Sequence, residues 1–184
     1  MAVQFETQRL LLRPFEEKDI EQFSRYRSDP EVAKYQGWQA PYSLEQAARF
    51  VRDMKSTTPG VPGQWYQLAL ELKASGEIIG DSAFKRLAED ARQAEIGFTL
   101  ARPFQGQGFA SEAVTRLLDY LFGELKLHRV RANIDPLNSA SQRLLERIGL
   151  RLEGRMVESL WYKGYWADEA WYAILRREWE SNRR

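Results

Sequence analysis

The chain has 184 residues, 43% of them hydrophobic and 29% charged, and its formal net charge is +1. This is a globular balance with no strong field for nucleic acid or a membrane surface, and neither a membrane-length apolar run nor a signal-peptide pattern appears, so a cytoplasmic location is expected. The absence of cysteine excludes disulfides, thiolate metal sites and a cysteine nucleophile, and with His128 as the single histidine no metal is expected.

In chain order, residues 9–13 (RLLLR) predict a strand ended by Pro14, and Asp19 predicts the cap of a helix running to Arg27. Ser43, with Gln46 three residues on, has the capping-box spacing at the head of a second helix. The stretch TTPGVPG (57–63) is a loop by its prolines and glycines. Residues 65–73 (WYQLALELK) and EIIGDSAFKRL form a hairpin about Ser75-Gly76, and AEIGFTL (94–100) is the next strand. Val114, Leu117, Leu118, Leu121 and Leu125 mark one face of a helix, HRVRANI is a strand, and Asn138 caps a helix carrying Leu144, Leu145 and Ile148. Gly149 stops that helix. Two aromatic-rich strands, 151–162 and 165–175, turn at Lys163-Gly164. Most of their aromatics are expected in the core. The expected fold is one α/β domain of the α+β type over residues 1–184, with a mixed sheet flanked by helices.

The stretch RPFQGQGFASEAV places Gly106 and Gly108 between a strand and a helix. Glycines there let several backbone N–H groups converge on one anion, with the helix end adding partial positive charge. Three accounts compete. A P-loop requires Lys-Ser/Thr, where this chain has Phe109-Ala110. A Rossmann turn is closer, since Gly106-x-Gly108-x-x-Ser111 nearly matches its fingerprint and Asp135 ends the next strand. A tight strand-to-helix turn with no ligand is the third.

Gln105-Gly106-Gln107-Gly108-Phe109-Ala110 matches the Q/R-x-x-G-x-G/A signature of the GNAT N-acetyltransferases. ETQRLLLRPFEEKD, AEIGFTLARPFQGQGFASEA, NIDPLNSASQRLLERIGLRLEG and KGYWADEAWYAILRREW resemble successive segments of the RimJ/RimL-like branch, in order and over nearly the whole chain. That resemblance implies a mostly antiparallel central sheet. It also implies direct acetyl transfer from acetyl-CoA to an amine, either a protein N-terminus or a small molecule. A non-catalytic acyl-CoA-binding module on the same fold is the alternative.

Site residues follow from the same resemblance. The N–H groups of Gln107, Gly108, Phe109 and Ala110 surround the pyrophosphate. Phe98, Thr99 and Leu100 lie on a splayed strand that pairs with the pantetheine arm as an added strand would. Asn138 matches a cofactor-contacting asparagine, and it reads equally well as a plain helix cap. Arg102, Arg143 and Arg147 are candidates for the CoA phosphates or for a solvated face. Leu145 stands where many members carry a tyrosine that protonates the leaving thiolate, and Ser141 takes that role in this branch. Glu95 and Glu158 are the candidate bases, acting through water. Tyr35 and Trp38 are expected to wall the acceptor region. Exposed aromatics of the last hairpin are expected to line an acceptor cleft or a homodimer surface.

Overall fold

A computed structural model describes residues 3–182. Eight strands form one sheet: β1 (Phe5–Glu6), β2 (Leu10–Arg13), β3 (Trp65–Leu72), β4 (Ile78–Arg86), β5 (Gln93–Leu100), β6 (Arg129–Ile134), β7 (Arg151–Tyr162) and β8 (Tyr165–Leu175). Their spatial order is β1-β2-β3-β4-β5-β6-β8-β7. Every neighbouring pair is antiparallel except β5 and β6. The helices are α1 (Ile20–Arg27), α2 (Pro30–Ala33), α3 (Leu44–Ser56), α4 (Phe109–Asp119), α5 (Ser139–Arg147) and α6 (Arg176–Ser181). Among the described residues only β5-α4-β6 is a strand–helix–strand crossover between parallel neighbours, and they contain no repeated parallel units of a Rossmann domain, which removes that account of the glycine turn.

Two apolar cores lie on opposite faces of the sheet. Leu117, Leu118 and Leu121 pack with Ile96, Val130 and Tyr172 on the α4 side. Phe15, Phe23, Val51 and Ala69 pack on the α1–α3 side. Strand β4 runs between the two and is buried from Ile78 to Phe84. It carries Asp81 into the interior, where the carboxylate accepts hydrogen bonds from the Tyr26 hydroxyl and the Gln67 amide. At Gly80 the sheet is unusually tight. A Cβ there would stand 2.1 Å from the Thr99 carbonyl oxygen and 2.9 Å from a Leu100 methyl. Only glycine lets the end of β5 lie so close to β4.

Several local expectations need correction. Asp19 does not cap α1. Its carboxylate is buried against Arg13, at 2.7 and 2.8 Å, and accepts from the Glu16 N–H, and α1 instead follows a 3-10 turn at Glu17–Asp19. A buried guanidinium outbids a helix start for the same carboxylate. Helix α2, β1 and α6 were not expected. The signal for α2 was present in Asp29-Pro30: the Asp29 side chain accepts from Glu31 N, with proline at the first turn. The hairpin aromatics also depart from expectation. Tyr172 is core, but Trp161, Tyr165 and Trp166 are exposed: β7 is exposed at nearly every position, and so are the first two residues of β8 at the hairpin tip. The capping box at Ser43 and Gln46 forms as expected, with bonds of 2.8 and 3.1 Å.

A polar clamp fixes the start of α4. Arg9, just before β2, donates Nε to Glu112 at 2.7 Å and Nη1 to the Gln107 carbonyl at 3.0 Å, and its guanidinium lies 4.1 Å above the Phe109 ring. Glu112 also accepts from the Arg9 N–H and the Thr7 hydroxyl. Burial alone would raise the Glu112 pKa, but these bonds outweigh it and hold the carboxyl below its usual value.

Replacing Leu117, fully buried in α4, with alanine should lower the unfolding free energy by about 2–5 kcal/mol in urea denaturation, whereas Val157→Ala, at a position 79% exposed, should stay within about 0.5 kcal/mol. Glu112→Gln should cost about 1–2 kcal/mol at neutral pH. Because the folded pKa lies below the unfolded one, this stabilisation is complete above the ordinary carboxylate range and is lost as pH falls through the folded pKa. The difference from the parent protein should therefore shrink below about pH 4 in the same assay.

Candidate active site

Strands β5 and β6 pair over Gln93↔Arg129, Ala94↔Val130 and Glu95↔Arg131 and then part. β6 stays paired with β8 through Ile134, and β5 stays paired with β4 through Leu100. The fork leaves one edge of β5 open. Since the Ala101 N–H donates to Ile79 on β4, the peptide groups of Phe98 and Leu100 turn the other way, into the gap. Their carbonyls accept from side-chain amides, Gln36 Nε2 at 3.3 Å and Gln105 Nε2 at 3.0 Å.

A cleft of about 640 Å³ follows this gap. Phe98, Thr99 and Leu100 line it from β5, and Gln105, Gly106, Gly108, Ala110 and Ser111 from the glycine turn and α4. Asn138, Ser141 and Leu144 line it from the start of α5, and Glu31, Val32, Tyr35 and Gln36 from α2 and the loop after it. Arg102, Arg143 and Arg147 also line it, whereas Glu31 is the single carboxylate among the lining residues. Arg102 additionally pairs with Asp29 at 2.9 Å. The excess of guanidinium groups suits a polyanion.

The two helix starts facing the cleft are built differently. Gly108, at φ +82°, is the N-cap of α4 and supplies no side-chain acceptor, so the first N–H groups of α4 have no side-chain partner. A helix start of this kind leaves donors suited to an anion. At α5, Asn138 accepts from the Ser141 N–H at 3.1 Å, the plain-cap geometry, while also lining the cleft. Among the sequence-derived cofactor residues, Gln107 and Phe109 do not line the cleft with their side chains. Gln107 Nε2 donates to the Pro103 carbonyl, and Phe109 is buried beneath Arg9. Leu145, in the place of the tyrosine, is buried in the core.

Neither candidate base lines the cleft. Glu95 sits at the fork on the sheet face away from α4, 3.1 Å from Arg131 and 3.9 Å from Lys85. Glu158 lies in a bulge of β7 at φ +46°, and its N–H donates to Asp168 across the hairpin at 2.8 Å. Asp168 thus makes a structural contact across the hairpin, and His128 is exposed. Trp38 does not wall the cleft either. It lies 3.9 Å from the Arg27 guanidinium and donates Nε1 to the Arg27 carbonyl. The residues missed by sequence reading are Glu31, Gln36 and Tyr162, together with Arg9. The Tyr162 hydroxyl donates towards the Gln36 carbonyl at 2.6 Å. Burial, then the neighbouring Tyr165 and Asp135, pushes the Tyr162 pKa up to about 12, so it remains a donor at neutral pH.

The Acetyltransferase (GNAT) domain model matches residues 9–151. The uncharacterized N-acetyltransferase p20 of Bacillus licheniformis is 34% identical over 172 residues, covering 94% of this chain and 96% of the relative. The ribosomal protein uS5-alanine N-acetyltransferase of Escherichia coli is 32% identical over 108 residues, 58% of this chain and 56% of that protein. A solved GNAT-family acetyltransferase from Bacillus anthracis superposes with a TM-score of 0.84 at 33% identity, covering 96% of this chain and all of that one. The fork in the sheet and its glycine-headed helix both fall inside the matched region, and the likeness to named N-acetyltransferases runs nearly end to end: the chain belongs to the GNAT family and is an enzyme that transfers acetyl groups to amines.

Proposed function

We propose that the cleft binds acetyl-CoA as the acetyl donor and passes the acetyl group directly to a primary amine, with a protein N-terminal α-amine as the leading acceptor and a small-molecule amine as the other. The observation that carries this is the meeting of an uncapped helix start, an open strand edge and a helix-start hydroxyl in one arginine-lined cleft. The Gly108–Ala110 turn holds the pyrophosphate, and Arg143 and Arg147 stand ready for phosphate charge. The Phe98 and Leu100 peptides pair with the pantetheine arm and orient the thioester carbonyl. The E. coli relative, by its name an alanine N-acetyltransferase of a ribosomal protein, supports the α-amine acceptor.

In the transfer, the amine nitrogen attacks the thioester carbonyl carbon, the C–N bond forms and the C–S bond breaks. The amine loses one proton and the departing sulfur gains one. Ser141 donates its hydroxyl proton to the sulfur and recovers one through water from the amine side. An α-amine has a pKa near 8, against about 10.4 for lysine, so it needs little help to react at neutral pH. For Glu95 or Glu158 to serve as base, water must relay the proton, since both stand outside the cleft. Among the described residues there is no group of carboxylates and histidine able to hold a metal ion, and no helix is long and apolar enough to cross a membrane. The proposed place of work is the cytoplasm. The proposed assembly is a homodimer in which a second copy covers Trp161 and Trp166, which stack edge-on at 5.4 Å on the exposed hairpin.

Calorimetry should show acetyl-CoA binding with little affinity for NAD or ATP, and Gly108→Val should abolish it, because a β-branched residue is strained at φ +82° and blocks the N–H groups. Preferential NAD binding would defeat the proposal. Ser141→Ala should lower kcat by roughly 10²-fold or more in a thiol-release assay while leaving acetyl-CoA affinity unchanged. An equal kcat would reduce Ser141 to a helix-start residue.

A further inference from the structure

The glycine turn ahead of α4 does not fix its own shape. Gly106 and Gly108 stand at φ +75° and +82°, and glycine takes negative φ as readily as positive. Gln107 Nε2 donates to the Pro103 carbonyl at 2.8 Å, which anchors that side chain and leaves the peptide plane beyond it free to turn over. A trans peptide points its C=O and N–H to opposite sides. In one orientation the Gln107–Gly108 peptide offers the Gly108 N–H to the cleft. In the other it offers the Gln107 carbonyl, which repels an anion.

Arg9 settles the direction from behind. Gly106, Gly108, Ala110 and Ser111 line the cleft, whereas Arg9, Gln107 and Phe109 do not. The Gln107 carbonyl accepts from Arg9 Nη1 at 3.0 Å, on the side away from the cleft. The Gly108 N–H of the same peptide therefore faces the cleft side, and among the described residues no acceptor meets it. A guanidinium carries donors only, so a turned plane would set that N–H against Arg9 with no acceptor between them. The guanidinium itself is held in place. Glu112 takes Nε at 2.7 Å, and the Phe109 ring lies 4.1 Å beneath the guanidinium. The Arg9 N–H donates to Glu112 at 2.8 Å, and the Arg9 carbonyl accepts from the Lys73 N–H at 3.0 Å. Nη2 lies 3.4 Å from where a Cβ on Gly108 would stand. One guanidinium thus reaches both sides of Gly108, the carbonyl before it and the first helical turn after it.

We propose that Arg9 is the positioning residue of the phosphate turn: through the Gln107 carbonyl it holds the Gln107–Gly108 peptide with its N–H towards the CoA pyrophosphate. The proposal rests on the reading of the cleft as an acetyl-CoA site. Arg9 stands behind the turn and acts on the ligand through one backbone plane. It therefore acts on ligands that carry the pyrophosphate and not on those that lack it, which a general role in the stability of α4 would not produce.

The test uses amide-resolved NMR titrations with CoA and with pantetheine, which ends before the pyrophosphate, in the parent protein, Arg9→Met and Arg9→Lys. Arg9→Met should raise the Kd for CoA roughly tenfold or more, the scale of a lost charge-assisted hydrogen bond. Its Kd for pantetheine should stay at the parent value. Arg9→Lys should behave as Arg9→Met, because an ammonium is a point charge and cannot span the Glu112 carboxylate and the Gln107 carbonyl in one fixed plane. If Arg9→Met loses its fold, Arg9→Lys carries the comparison. CoA should shift the Gly108 amide resonance in the parent and leave it nearly in place in the variants. Equal weakening towards CoA and pantetheine, parent affinity for CoA in Arg9→Lys, or a Gly108 amide that still answers to CoA in the variants overturns the role of Arg9. Failure of the parent to bind CoA instead defeats the reading of the cleft beneath it.

Discussion

The site exists because two neighbouring strands cannot stay together. β5 and β6 are the single parallel pair in an otherwise antiparallel sheet, and they share three residue pairs before parting. Parallel pairing is the weaker form and requires a crossover, supplied here by α4. The fork is stable because each strand keeps a full partner on its far side, β4 for β5 and β8 for β6. The Glu95–Arg131 pair lies across the last joined residues, with Arg131 also 4.6 Å above the Trp171 ring. The ion pair and the stacked indole hold the crotch of the fork, so the open edge begins at a fixed point.

Two helices then present their starts to the gap in contrasting ways. α5 satisfies its first turn internally through Asn138, which makes it a rigid support for the Ser141 hydroxyl. α4 begins at a glycine with no side-chain oxygen to offer, leaving its N–H groups for a ligand. Such a start is intrinsically loose, and the Arg9–Glu112 clamp compensates by tying the turn to the first strands of the sheet. Ligand-binding capacity and local stability are thereby assigned to different residues.

Much of this was legible in the sequence because it is local. Hairpin turns, the Ser43 box, the Asn138 cap and the paired glycines are patterns within a few residues. The less legible features are contacts between distant positions. Arg9 and Glu112 look like ordinary surface charges until α4 lies against β2. Asp19 sits where a cap belongs, yet a buried Arg13 claims its carboxylate. Trp161 and Trp166 resemble core strand residues, but both are more than half exposed. Alternation reports which face a side chain takes and is silent on whether anything packs against that face.

Gly80 does not itself line the cleft, yet it sets how closely the cleft's β5 wall lies against β4. The end of β5 can lean onto β4 only while position 80 has no side chain. Any methyl there would drive Thr99 and Leu100 back towards β6 and narrow the slot from behind. Substitution at this position would therefore mimic an active-site defect in an assay while leaving every catalytic and binding group chemically intact. A mutational scan of this chain would map Gly80 to the active site by phenotype, although its effect travels entirely through the spacing of two backbones.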